Sequence, residues 1–110
     1  MTNYQEKYLQ IAKESILESI DLDQYAVFLF GSRSRTFFSP NADIDIGILG
    51  DSFFPENSIY LIKEKIAESI VPYHLDIIDF YSVEENFKKI ALQNFVIWNL
   101  PKHLKEKLPL

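Results

Sequence analysis

The sequence predicts an α/β (α+β) domain, a small sheet of three to four strands with helices packed on it. Three observations carry this reading. Apolar residues recur at helical spacing in long segments. Short continuous apolar runs have strand length, and Gly, Pro and Asn punctuate the boundaries between them. With 110 residues the chain is expected to be one domain, 1–110, with a modest core. At 47% hydrophobic and 15% aromatic residues, its composition is not that of a disordered chain.

The first helix is expected from Thr2 to about Ile20. Tyr4, Tyr8, Ile11, Ala12, Ile16 and Ile20 recur every three or four residues, and Thr2 with Gln5 has the form of a capping box. Asp21 to Gln24 reads as a polar turn. Tyr25 to Phe30 is an apolar run of strand length, closed by Gly31. Ser32 to about Phe37 is expected to be a short helix. Pro40-Asn41 breaks the chain, and Asp43 to Leu49 is a second strand.

After the loop "GDSFFPENS", Ile59, Ile62, Ile66 and Ile70 mark a second long helix that Pro72 stops. "YHLDIIDF" is a third strand. Ser82 with Glu85 has the form of a capping box opening a last helix, with Phe87, Ile90 and Ala91 facing inward. Asn94 is expected to close that helix in a left-handed turn. "FVIW" reads as a short edge strand, and the charged segment 101–110 as a loose tail.

Composition removes several function classes. There is no cysteine, so disulfides, zinc-thiolate sites and thiol nucleophiles are excluded. The two histidines, His74 and His103, are too few and too far apart for a histidine metal cluster. The net charge of −5 argues against gripping long DNA or RNA, so no direct nucleic-acid binding is expected. A single nucleotide remains accessible if metal ions supply the positive charge. The opening "MTNYQEKYLQ" has no apolar core and no run approaches transmembrane length, so a cytoplasmic chain with no membrane contact is the expectation.

The informative stretch is "FLFGSRSRTFFSPNADIDIGIL", residues 28–49. It places two aspartates in an otherwise apolar strand, where desolvating a carboxylate is costly. Strand residues two apart share a face, roughly 6.6 Å apart along the chain. Asp43 and Asp45 therefore project together, with Gly47 continuing their face, while Ile44, Ile46 and Ile48 point into the core. That arrangement gives the strand one apolar face and one acidic, open face.

The third strand repeats the pattern. His74, Asp76 and Ile78 share one face, and Leu75 and Ile77 the other. If the strands are neighbours, three carboxylates converge. Unscreened, they repel and raise one another's pKa values. With hard divalent cations they form a site, since magnesium takes oxygen ligands and shares them with substrate phosphates.

The Gly-Ser turn supplies a complement. Gly31 permits a sharp bend, the following N–H groups suit phosphate, and the Ser32 hydroxyl adds a donor. Arg33 and Arg35 are the only arginines in the chain. Arg35 is the favoured phosphate contact, with a surface salt bridge as its bland alternative. Asp79, by strand alternation, reads as a loop or capping carboxylate. His74 reads as a rim histidine or a support for Asp76. Phe53 and Phe54 are core plugs or interface residues, with nothing to separate the two.

Gly31-Ser32, ten intervening residues, then Asp43-Ile44-Asp45 resembles the signature of the DNA polymerase beta-like nucleotidyltransferase superfamily. The likeness is closest to its minimal nucleotidyltransferases, the MNT-type antitoxins. "GSRSR", Pro40, "DIDIGIL", "HLDIIDF" and "ENFKKIALQNFVIW" all contribute, so it spans about Tyr25 to Trp98.

The resemblance implies a mixed sheet and transfer of a nucleoside monophosphate, AMP from ATP, to a hydroxyl. It implies Asp43, Asp45 and Asp76 as catalytic metal ligands for two Mg2+ ions, and Gly31, Ser32 and Arg35 as nucleotide contacts. It further implies a helical HEPN or substrate-binding-type partner, whose tyrosine is the acceptor and whose toxicity the chain counters. A non-catalytic partner-binding subunit and an enzyme acting on a small molecule are the competing readings, and a homo-oligomer is left open. One departure stands out. The family often has glycine at the position of Thr36, but here "TFF" follows Arg35. Phe37 and Phe38 crowd the phosphate loop, or form a partner-facing or base-stacking patch.

Overall fold

The computed structural model describes residues 3–35, 39 and 41–109. Five apolar residues in a row leave no polar face, so Ala26–Phe30 becomes a strand covered on both sides. This strand, β1, follows helix α1 (Asn3–Leu17) and is followed by a 3₁₀ turn at Ser32–Ser34. Strand β2 (Ile44–Leu49), helix α2 (Glu56–Ala67), strand β3 (Leu75–Asp79), helix α3 (Glu85–Ala91) and strand β4 (Val96–Asn99) come next, and a second 3₁₀ segment covers Lys102–Lys107.

The sheet order is β3-β2-β1-β4. Strand β1 runs antiparallel to β2 and β4, while β2 and β3 are parallel. The sheet is therefore mixed, with the "FVIW" strand at one edge and β3 at the other.

Each face of the sheet carries its own core. Ile44, Ile46 and Ile48 of β2 are fully buried against Ala12, Ile16, Ile62 and Ile66 of α1 and α2. Leu75 and Ile77 of β3 join them, as the alternation predicts. The opposite face is aromatic. Phe28 and Phe30 meet Phe80 at 4.9 and 5.3 Å between ring centroids, edge to face. Gly47 makes this second core possible, because a Cβ there would lie 2.3 Å from the Phe28 ring. The aspartate face of β2 is thus open only at its start, and from Gly47 onward it is packed.

Several expectations change in detail. The box at Thr2 lies outside the described residues. Helix α1 ends at Leu17, and the last turn tightens into i to i+3 bonds that still bury Ile20. Helix α2 ends at Ala67. The Ser69 hydroxyl donates to Ile66 O and accepts from Val71 N, turning the chain so that Val71 is buried and Ile70 is exposed.

The Ser82 box does not form. Asp79 accepts from Tyr81 N and prolongs the preceding turn, so that Glu84 becomes the N-cap of α3. Ile90 is 66% exposed rather than inward-facing, and Phe87 is half in contact with the aromatic core. Asn94 has no left-handed backbone, since no described residue other than Gly31 has a positive φ. The short helix after Gly31 is a three-residue 3₁₀ turn ending in extended Arg35, with 36–38 outside the described residues.

The segment expected as a loose tail is packed. Leu104 is fully buried and Leu108 nearly so, both in the aromatic core, and the charged residues between them face water. Truncating a buried leucine costs about 2–5 kcal/mol. Leu104→Ala is therefore expected to lower the free energy of unfolding by at least about 2 kcal/mol in a denaturant titration. A loose tail would leave the midpoint unchanged.

Candidate functional site

Three strand ends meet at one edge of the aromatic layer. In the ladders Phe30 pairs with Asp45, and Asp45 pairs with Asp76. The end of β1 and the starts of β2 and β3 therefore lie in a row. Ile44 N donates to His74 O at 2.9 Å, which carries the β2–β3 ladder back to the residues just before each strand.

This register brings the predicted carboxylates together. Asp45 is partly buried, Asp76 is partly exposed, and Asp43 sits exposed immediately before β2. Donor atoms of Asp43, His74 and Asp76 all lie within 4.8 Å of one another. The Asp45 carboxyl is pushed above the ordinary carboxylate range, first by burial and then by the negative charges of Asp76 and Asp43, with His74 opposing the shift. Carboxylates gathered in this way, all with hard oxygen donors, suit a hard divalent cation.

Gly31 lies directly over Asp45. Its φ of 71° is in the left-handed region, and a Cβ would fall 2.3 Å from Asp45 Oδ2. Two independent constraints, backbone angle and space, therefore demand glycine here. Ser32 opens the 3₁₀ turn next to it. The Ser34 hydroxyl lies 2.6 Å from Gly31 O and 2.8 Å from Asn94 O, and ties the turn to the chain after α3.

The two arginines part company. Arg33 is buried, at 3% exposure. Its Nε donates to Ala42 O at 2.8 Å, and its guanidinium stacks 3.9 Å above the Tyr73 ring. It braces the entries to β2 and β3. Arg35 is exposed and lines a groove of about 170 Å³ with Gly31, Phe30, Phe87, Ile90 and Asn94. Of the nucleotide contacts predicted from sequence, Gly31 and Arg35 thus border one groove and Ser32 adjoins it.

Some neighbours escape sequence reasoning. Lys63 of α2 reaches round the sheet edge to lie 3.8 Å from Asp76 Oδ1. His74 Nε2 lies 3.2 Å from the same oxygen. Helical periodicity marks Lys63 only as a solvated position, and no local signal reports the edge it crosses. Asp79 has the loop role expected of it, accepting from Phe54 N at 2.8 Å. Phe54 is a core plug, whereas Phe53 is 65% exposed and meets the Tyr81 ring edge to face.

The comparisons with known proteins agree with this geometry. Residues 9–99 match the family described as nucleotidyltransferase domain. The chain is 27% identical to the probable protein adenylyltransferase MntA of Haemophilus influenzae, over 76% of this chain and 73% of that protein. Among solved structures, a toxin–antitoxin with AMP-PNP superposes with TM-score 0.68 at 20% identity, covering 86% of this chain and 78% of that one. A tri-AMPylated Shewanella oneidensis HEPN toxin in complex with MNT antitoxin matches with TM-score 0.62 at 18% identity, covering 89% and 76%. A sheet with this register, a glycine turn set against an aspartate strand, and a match across most of the chain place the protein in the nucleotidyltransferase domain family.

Proposed function

We propose that the chain transfers AMP from ATP to a tyrosine hydroxyl of a helical HEPN-type partner, and so acts as its antitoxin. The observation that carries this is the placing of Asp43 and Asp76, with donor atoms within 4.8 Å of each other, beside Asp45, which pairs with Asp76 in the ladder and lies under Gly31. The relatives named above, an adenylyltransferase and an AMPylated toxin held by its antitoxin, support the choice of AMP and of a protein acceptor.

In this reading Gly31 and Ser32 present backbone and hydroxyl donors to the triphosphate, and Arg35 neutralises it from the groove side. Phe87 and Ile90 offer an apolar wall beside Arg35 for the nucleoside. Asp43, Asp45 and Asp76 would hold divalent metal, Mg2+ being the hard cation that suits them. When bound, it offsets phosphate charge and lowers the barrier to attack on phosphorus. The acceptor oxygen attacks the α-phosphorus, its bond to the bridging oxygen breaks, and pyrophosphate leaves. Asp76, reachable from solvent at the sheet edge, takes the hydroxyl proton. The face is open, which suits an acceptor presented by another protein better than a small molecule that must be enclosed.

Three outcomes test the reading. An acidic cluster repels a triphosphate unless a cation bridges them. Calorimetry should therefore show ATP binding in magnesium and little in chelator, and equal affinity in both would contradict the metal role.

The second concerns Asp45. Its folded-state pKa is raised, so its ionised form opposes folding above that pKa, and the penalty fades as pH falls through it. Asp45→Asn should raise the melting temperature of the metal-free protein at neutral pH, and the gain should shrink on acidification. A neutral or destabilising Asn at pH 7 would show that the Asp45 charge does not oppose folding.

The third is Asp76→Asn, which keeps the side-chain shape but cannot accept the proton. Labelling of the partner from labelled ATP is expected to fall by at least roughly 10²-fold while partner binding persists. Undiminished labelling would take Asp76 out of the mechanism. Full binding with no labelling by either protein would favour a non-catalytic subunit.

A further inference from the structure

We propose that His74 is a nitrogen ligand of the carboxylate site, and that it makes the site select first-row transition ions such as Mn2+ over Mg2+. The inference rests on the cation-site reading above and extends it to a residue that reading does not use.

Position comes first. The Ile44 N to His74 O bond fixes His74 across from the start of β2, so its imidazole emerges beside Asp43. Strand alternation turns it to the same face as Asp76. Its Nε2 stands 3.2 Å from Asp76 Oδ1, and all three donors lie within 4.8 Å of one another. Adjacent ligands on an octahedral ion with bonds of about 2.1 Å are themselves about 3 Å apart, and opposite ones about 4 Å. The three side chains therefore need to move by only about an ångström to share one ion.

Chemistry then separates His74 from its neighbour. Both Lys63 Nζ and His74 Nε2 approach Asp76 Oδ1. An ammonium has no lone pair to give a metal, whereas an imidazole has one. Lys63 can only balance charge, but His74 can bind. Mg2+ holds to oxygen and sheds water reluctantly, while first-row transition ions gain more from a nitrogen donor. One imidazole among carboxylates thus tilts the preference without abolishing Mg2+ binding. A side chain that is 61% exposed is free to swing onto an ion.

The bland alternative is that His74 only donates a hydrogen bond to Asp76. Pulsed EPR of Mn2+ bound to protein labelled with 15N-histidine separates the two. The chain has just one other histidine, His103, which lies against Asp51. A directly coordinated 15N coupling is expected in the wild type and in His103→Gln, and it should vanish in His74→Gln, whose amide can still hydrogen-bond Asp76. By calorimetry, His74→Gln should weaken Mn2+ binding about tenfold or more and change Mg2+ binding far less. Bound Mn2+ without a 15N coupling, or a coupling that survives His74→Gln, would overturn the role of His74 and leave the cation site standing. No binding of either ion, with or without a non-hydrolysable ATP analogue, would overturn both.

Discussion

The contact between Gly31 and Asp45 governs the architecture of the site. A partly buried carboxylate is packed beneath a backbone that leaves no room for a Cβ. The glycine has no latitude to change. Any side chain at Gly31 collides with Asp45, and the left-handed backbone angle excludes most residues regardless of space. The sheet register keeps the pair in place, because Asp45 is the ladder partner of Phe30 on one side and of Asp76 on the other. A slip of one residue in β2 would send both aspartates into the isoleucine core. The fully buried Ile44, Ile46 and Ile48 are therefore what aims the charges outward.

The two cores divide the labour. The aliphatic layer under α1 and α2 secures the register. The aromatic layer under α3 and the C-terminal 3₁₀ segment forms the floor on which the glycine turn rests. Gly47 joins the two functions on one strand. It stands two residues after Asp45, where the same face must change from an open carboxylate to a packed ring, and only a missing side chain lets Phe28 and Phe80 close in. Arg33 adds a third support. A buried guanidinium, hydrogen-bonded at Ala42 and stacked on Tyr73, holds the segments leading into β2 and β3 at a fixed separation. An arginine so engaged braces the site, and Arg35 is the arginine left exposed at the groove.

The elements that sequence reveals are those whose signal is local. Alternation in "DIDIGIL" and "HLDIIDF" reports which face each carboxylate takes, and the structure places them so. Helix ends are set by competition that a linear pattern does not show. Asp79 captures Tyr81 N and delays α3, which leaves Ser82 outside the helix and Ile90 in solvent. The tail looks loose because its charges are conspicuous, yet Leu104 and Leu108, four apart, anchor it. Lys63 and Arg33 are invisible for another reason. Their roles depend on which strand lies at an edge and which side chain stacks across it, and both are properties of the tertiary arrangement.

An open site has a consequence for chemistry. Asp43, His74 and Arg35 all face solvent, and the groove beside Gly31 is small, at about 170 Å³. Water competes with any acceptor for an activated nucleotide, so a transfer reaction needs a wall that excludes it. The described residues supply the floor and one apolar flank, with Phe87 and Ile90 exposed beside the groove. In the function proposed above, the acceptor protein would supply the remaining wall. On that view the exposed apolar flank, an oddity for an isolated domain, is the surface across which acceptor and nucleotide are brought together, and substrate recognition and exclusion of water become one event.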